Sequence, residues 1–444
     1  MPRRYQPRAL AVWANGLRVG TWRLPARASM EFEYHEQWLD APEGRPLSLS
    51  LPLAAPTHAH RGKVVEAYFD NLLPDSEAIR RRLQARFHTA SGGAFDLLSA
   101  IGRDCVGAVQ ILPADEAPDD VRKIEHVPLA DSQIEKDLAG VASPTTMLNA
   151  SQDFRISIAG AQEKTAFLLH RGKWCRPIGS TPTTHIFKLP LGLVGNRQAD
   201  FRTSVENEWL CAQILAAFGL PVARCELGQF GAQTVLVVQR FDRQLHSSGG
   251  YWLRLMQEDL AQATGTPWHR KYQADGGPGV ADIARILRVS VEAKADLTTL
   301  FQSQVLFWML AATDGHAKNF SLRILEGGAF RLTPLYDVLS AWPVIGKKAN
   351  ELPIDKLKMA MAVPGERPHY LWKAIGRRHF EVMGKKLGFN TEAPVLIDEL
   401  VDKTDDAIKG VERKIPRDFP GALFERISAG LKKSAEALKK QRNE

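Results

Sequence analysis

Thr313-Asp314-Gly315-His316-Ala317-Lys318-Asn319-Phe320-Ser321 and, after a hairpin-like segment, Leu332-Thr333-Pro334-Leu335-Tyr336-Asp337 decide how this chain is read. Asn319 follows Asp314 by five positions, the offset at which a kinase catalytic loop sets its base aspartate and its Mg²⁺-binding asparagine. Asp337 follows Asn319 by eighteen positions, about where a second metal-binding aspartate belongs. The heavily apolar segment from Thr299 to Ala311 predicts a buried helix that delivers Asp314 at its end. A buried helix terminus alone does not explain why Asp, His, Lys and Asn crowd the next six residues. The stretch points to ATP-dependent phosphoryl transfer, with the other parts of such a site to be sought upstream.

Upstream, Phe154–Ile158 alternates as a strand, Ala159-Gly160-Ala161-Gln162-Glu163-Lys164 is a short loop, and Thr165–His170 is a second strand. A loop so placed turns backbone N–H groups towards phosphate oxygens. It holds one glycine and fits neither G-x-G-x-x-G nor the Walker A pattern, so a plain hairpin also accounts for it. Thr183–Leu189 reads as a strand carrying Lys188, either a phosphate grip or a solvated strand end. The helix Ser204–Phe218, closed by Gly219 and Pro221, carries Glu206 and Glu208, each a candidate partner for Lys188. The apolar strand Ala232–Val238 leads into Gln239-Arg240-Phe241, the position of a hinge whose main chain meets adenine. From Gln257 onward the chain reads as helical. Loop, strand lysine, hinge, base loop and metal aspartate follow one another in kinase order, and that order argues more strongly than any single part.

Length and composition set bounds. A chain of 444 residues is too long for one compact core, so two or three units are expected. The hydrophobic fraction of 44% with 24% charged residues is that of a globular protein. No apolar run approaches the roughly 18 residues of a membrane span, and Met1-Pro2-Arg3-Arg4-Tyr5 opens no secretory signal, which argues for the cytoplasm. Cys105, Cys175, Cys211 and Cys225 form no C-x-x-C pair, which favours buried free thiols over zinc or disulfides. The net charge of +8 suits a negatively charged partner such as ATP or nucleic acid, and equally a solvated surface.

The N-terminal part reads as β-rich. Leu10–Ala14 and Leu17–Trp22 flank Asn15-Gly16, a strong hairpin signal, and Met30–Tyr34 and Leu47–Leu53 alternate as half-buried strands. Lys63–Arg86 turns helical with a restart at Pro74-Asp75-Ser76, Phe95–Ile101 is a further short helix, and Val106–Leu112 returns to strand. Arg103-Asp104 reads as a surface ion pair, with a site fragment as the other reading. Pro113–Asp120 reads as a linker, giving an expected division into 1–118, a β-rich subdomain, 119–250, a lobe with phosphate loop and hinge, and 251–444, a helical lobe with the catalytic and metal-binding loops.

Taken together, Ile156–Thr165, Thr181–Lys188, Arg240–Arg243, Gln257–Asp259, Asp275–Gly279, Asp314–Ser321 and Leu332–Asp337 resemble the HipA toxin kinases. Pro46–Pro52, Asp70–Pro74 and Ile101–Asp104 carry the resemblance into the N-terminal part, and it weakens after about residue 360. The resemblance implies an α+β, two-lobed protein-kinase-like fold and a serine/threonine protein kinase using ATP and Mg²⁺. Its partner would be a HipB-type helix-turn-helix antitoxin, operator DNA would be met mainly through that complex, and the acceptor would be glutamyl-tRNA synthetase or another aminoacyl-tRNA synthetase. Carried over by residue, Asp314 would be the base, while Asn319 and Asp337 would hold Mg²⁺. Ala159, Gly160, Ala161, Gln162, Glu163, Lys164, Lys188, Gln239, Arg240, Phe241, His316, Lys318, Asn319, Tyr336 and Asp337 would surround the nucleotide, and Ser157 would be an autophosphorylation site. Gln239 departs from the glutamate familiar at the hinge. Arg367–Arg378 stands where the family touches operator DNA but differs in detail. A small-molecule or lipid kinase and a catalytically silent corepressor are the competing readings.

Overall fold

Asn15 and Gly16 both take left-handed backbone angles, φ 48° and 85°, and close the strands Arg8–Ala14 and Leu17–Leu24 into the antiparallel hairpin their sequence signals. These strands are the middle of a five-stranded antiparallel sheet in the order His60–Arg61, Glu31–Tyr34, Leu17–Leu24, Arg8–Ala14, Val109–Pro113. Its buried face packs Trp22, Phe32 and Tyr34 against Phe69 of the Lys63–Asp70 helix and Phe95 of the Ala94–Ile101 helix, with Trp22 and Phe69 stacked at 3.9 Å. The structure, a computed structural model, describes residues 8–142, 157–365 and 367–443. Among them no helix is long and apolar enough to cross a membrane.

Two compact units interleave along the sequence. The first comprises Met1–Leu189, Gln229–Arg270 and Ser321–Phe330, and the second Pro190–Gly228, Lys271–Phe320 and Arg331–Glu444. They cut the chain differently from the three linear segments expected. The Ser204–Phe218 helix packs along Glu392–Glu412, whose Lys403 ammonium caps the Phe218 carbonyl at 3.1 Å. The strand Gln257–Asp259 pairs with Ser321–Arg323 inside the first unit.

Besides the N-terminal sheet, the first unit holds antiparallel strands in the order Gln233–Gln239, His185–Lys188, Lys164–His170, Lys173–Pro177, His126–Pro128. Ile134 and Leu138 of the Asp131–Ala142 helix close over Phe167, Phe187 and Val237 of this sheet. The second unit is dominated by helices. The longest buried one, Ala293–Met309, is enclosed on every side from Leu300 onward apart from partly covered Gln302. Trp308 on it stacks on Trp372 at 5.0 Å, and each indole N–H donates to the other residue's carbonyl.

Several local expectations give way to long-range bonds. Leu47–Leu53 forms only an isolated bridge between Ser48 and Leu51, because Ser48 and Leu49 turn their donors to the buried carboxyl of Glu258. The helix expected from Gln257 is a strand first. Helix begins at Leu260, where Asp259 caps the Gln262 N–H and the Gln262 side chain reciprocates. Of the expected strand Phe154–Ile158, residues 154–156 lie outside the described residues, and Ser157 and Ile158 are not in a strand. The cysteines are free thiols as expected, three buried and Cys225 partly so.

Candidate active site

The expected phosphate loop lies within the first unit. Ser157 is fully buried, its N–H donating to the Asp104 carbonyl at 3.2 Å and its hydroxyl to the Leu72 carbonyl at 2.8 Å. From there the loop 159–164 is pinned along its length. The Gly160 carbonyl accepts the Asp75 N–H at 3.0 Å, Glu163 forms an ion pair with Arg82, the Gln162 amide donates to the Leu189 carbonyl at 2.6 Å, and Lys164 reaches back to the Ala159 carbonyl at 2.8 Å. Gly160 has φ +111°, and a Cβ there would stand 2.4 Å from the Lys164 ammonium, so the turn needs glycine. Lys164 and buried Lys188 are direct cross-strand partners on one face of the sheet.

At the hinge, exposed Gln239 pairs with His185, and the Arg240 N–H donates to the Thr184 carbonyl at 2.9 Å. The Arg240 side chain is buried with Arg243 and Arg254 around Asp104 and Asp242. Asp104 is thus a buried hub and not half of a surface pair, while Arg103 pairs with Glu116. Its carboxylate also accepts the N–H and hydroxyl of Thr183 at 3.1 and 2.6 Å. Burial by itself would raise the Asp104 pKa; Arg243, Arg240 and Arg254 outweigh it and hold the group well below the usual carboxylate range. Nothing local in the sequence marks Asp104 as buried, since its partners stand 79 to 150 positions away.

The expected catalytic and metal-binding loops lie within the second unit. The Ala293–Met309 helix ends in a tight turn at Ala311, φ +49°, whose carbonyl accepts the Ala341 N–H. Gly315 lies on the Phe307 ring so closely that a Cβ would stand 2.7 Å from it. Asp314 is exposed and accepts a 2.5 Å hydrogen bond from the Tyr272 hydroxyl. Past it, buried Ala317-Lys318-Asn319 makes a single 3₁₀ turn. The Asn319 amide donates to the Asp337 carbonyl at 3.1 Å, and the Tyr336 hydroxyl donates to the Lys318 carbonyl at 2.7 Å. Asp337 takes a left-handed φ of +61°, uncommon outside glycine and asparagine-like residues. Asp314, Lys318, Asn319, Tyr336 and Asp337 are thereby brought into one loop system, and His316 lies buried beneath it. The sequence reading missed Tyr272, which sits 42 positions before Asp314.

Asn319 Oδ1 is buried and has no hydrogen-bond partner among the described residues. A stranded carbonyl-type oxygen beside the Asp337 segment suits a hard divalent cation. Among the described residues no group of three or more His, Cys, Asp and Glu forms a metal cage. Mg²⁺ needs none: one or two protein oxygens plus phosphate and water suffice. Of the two candidate glutamates, Glu208 is buried, and burial raises the pKa of half-covered Glu206.

Fold and loop system together define an α+β protein of the two-lobed, protein-kinase-like class. Models of the HipA N-terminal domain and the HipA-like C-terminal domain match residues 10–112 and 156–408. The chain belongs to the HipA family. It is 36% identical over 351 residues to the putative kinase Y4mE of Sinorhizobium fredii, covering 77% of this chain and 80% of that one. It is 25% identical over 338 residues to the serine/threonine-protein kinase toxin HipA of Shewanella oneidensis, covering 73% of each. The HipA structure from Shewanella oneidensis MR-1, solved with HipB and operator DNA, shares the fold at TM-score 0.77 and 20% identity, over 98% of this chain and 99% of that chain.

Proposed function

We propose that this chain is an ATP- and Mg²⁺-dependent serine/threonine protein kinase, the toxin of a HipA–HipB-type toxin–antitoxin module. The observation that carries the reading is the stranded Asn319 Oδ1, on an amide whose N–H donates to the Asp337 carbonyl, five residues from the exposed carboxylate of Asp314. Asn319 and Asp337 would hold Mg²⁺, which when bound neutralises charge on the phosphates. Asp314 orients the acceptor hydroxyl and takes its proton as the γ-phosphoryl group passes from ADP oxygen to acceptor oxygen. Lys188, Lys164 and the backbone of 159–163 receive the phosphates, and the main chain of Gln239, Arg240 and Phe241 meets the adenine. His316, Lys318 and Tyr336 support the loop system beneath the nucleotide.

The acceptor is a translation component of the aminoacyl-tRNA synthetase kind, glutamyl-tRNA synthetase being the first to test. The protein acts in the cytoplasm, is neutralised by a helix-turn-helix antitoxin, and represses its operon with that partner. The Shewanella relative solved with HipB and operator DNA supports this reading. Ser157 is the proposed self-inactivation site. A phosphoserine carries about −1.5 to −2 charges, which cannot stay buried where the hydroxyl now meets the Leu72 carbonyl, so the segment from Ser157 to Lys164 leaves its pins. Expression in a bacterium without the antitoxin, followed by phosphoproteomics, tests the reading. Growth arrest with a newly phosphorylated protein, both lost in Asp314→Asn, is the expected result. Arrest undiminished in Asp314→Asn would instead mean a non-catalytic action.

A further inference from the structure

The Tyr272 phenol donates to Asp314 Oδ1 at 2.5 Å, and its segment is fastened to the catalytic loop. The Lys271 carbonyl accepts the Ala317 N–H at 3.4 Å, and the Tyr272 ring meets the His316 ring edge-on at 5.0 Å. The Lys271 ammonium stands 5.6 Å from the centre of the phenol ring. On the other side, the Tyr272 carbonyl accepts the N–H groups of Asp275 and Gly277 at 3.1 and 2.9 Å, and Gln273 Oε1 accepts the Ala362 N–H at 2.8 Å. The ring is therefore held from both directions along the chain. Its hydroxyl end meets the exposed carboxylate in reach of solvent, since Tyr272 is half-buried and Asp314 exposed.

A phenol O–H is the same kind of donor as a serine, threonine or water O–H. From this geometry we infer that Tyr272 is an acceptor-mimicking gate: its hydroxyl occupies the Asp314 oxygen that an incoming acceptor hydroxyl must claim. The inference rests on Asp314 being the base. Transfer breaks the bond from Pγ to the ADP oxygen, forms one from Pγ to the acceptor oxygen, and moves the acceptor proton to Asp314. Tyr272 exchanges only a hydrogen bond in this step and takes no phosphoryl group. Water, with no other contact to the protein, must displace a charge-assisted hydrogen bond unaided. A docked protein acceptor displaces it with the help of its remaining interface. The gate thus favours protein hydroxyls over solvent and restrains futile ATP hydrolysis. Tyr272 acts through Asp314 and is a positioning residue.

The test uses the full-length protein with Mg-ATP and no protein acceptor, and measures phosphate release. Tyr272→Phe keeps the ring contacts and deletes the hydroxyl. It should raise kcat for hydrolysis by about 10-fold or more, the scale of one charge-assisted hydrogen bond, with KM for ATP unchanged. Tyr272→Leu lacks the hydroxyl by a different route and should raise kcat as well. The rise should vanish in Tyr272→Phe/Asp314→Asn. Hydrolysis at or below the wild-type rate in both single Tyr272 variants, with Asp314→Asn inactive, overturns the gate while leaving the base. Hydrolysis undiminished in Asp314→Asn overturns the base reading, and the gate with it.

Discussion

Replacing Asp104 by Asn should be among the most damaging single changes in the first unit. The wild-type carboxylate accepts from Arg243 at 2.9 Å, Arg240 at 3.2 Å, Arg254 at 3.4 Å and Thr183 at 2.6 Å, all of them buried. Asn preserves shape but removes the charge and turns an N–H₂ donor towards guanidinium donors. Arg240 and Arg243 would then share Asp242, and buried Arg254 would lose its carboxylate partner and keep its bond to the Ser180 carbonyl. Removing one member of a buried ion cluster costs about 3–5 kcal/mol, a large part of the roughly 5–15 kcal/mol that holds a domain folded. The same cluster holds three cations against two carboxylates, so losing a cation should cost less. Arg254 is the one to remove, because burial and its neighbours lower its pKa to about 10. Urea unfolding of the full chain, followed by tryptophan fluorescence and by nucleotide binding, should place Asp104→Asn several kcal/mol below wild type. Arg254→Met should fall well short of that loss. Asp104→Asn within about 1 kcal/mol of wild type, or Arg254→Met costing as much, would refute the hub.

Glu258 should make stability fall with pH. Burial pushes its pKa to about 8 against the bonds from Ser48 and the Leu49 N–H, and because this lies above the unfolded value of 4.5, the folded state keeps the proton longer. The contribution is complete below about pH 4.5 and fades by about 1.4 kcal/mol per unit up to about pH 8. Glu258→Gln should therefore gain stability relative to wild type from pH 5 to 8, and a melting-temperature difference that is flat over that range would contradict this. Asn319→Ala should weaken nucleotide binding in Mg²⁺ by about 10-fold or more while leaving metal-free binding nearly unchanged, as titration calorimetry would read. Arg82→Ala removes a partly exposed pair worth about 1 kcal/mol or less. Limited proteolysis should then cut the 157–164 segment faster, with little change in global stability.

Local signals in the sequence were strong where the chain makes its own contacts. Gly219 and Pro221 mark the end of the Ser204–Phe218 helix, and Gly219 indeed takes the left-handed cap, φ 97°. Asn15-Gly16 closes its hairpin for the same reason. The five-residue spacing of Asp314 and Asn319 was legible too, although the bond from Asn319 to Asp337 spans 18 residues. What escaped the sequence are pairings made across long separations. Ser48 meets Glu258 from 210 positions away, and that bond turns an alternating segment, Leu47–Leu53, into something other than a strand. No periodicity says that Asp104 is buried while Arg103 is not, and no motif ties Tyr272 to Asp314. Burial of charge is decided by distant partners, and those become visible only once the chain is folded.

The central claim is that Asp314 serves phosphoryl transfer to protein. Incubating the purified full-length protein with γ-labelled ATP, Mg²⁺ and a bacterial extract tests it directly. The account predicts label on a protein band, absent in Asp314→Asn and absent when Mg²⁺ is chelated. Label confined to small molecules, or protein label undiminished in Asp314→Asn, would contradict it.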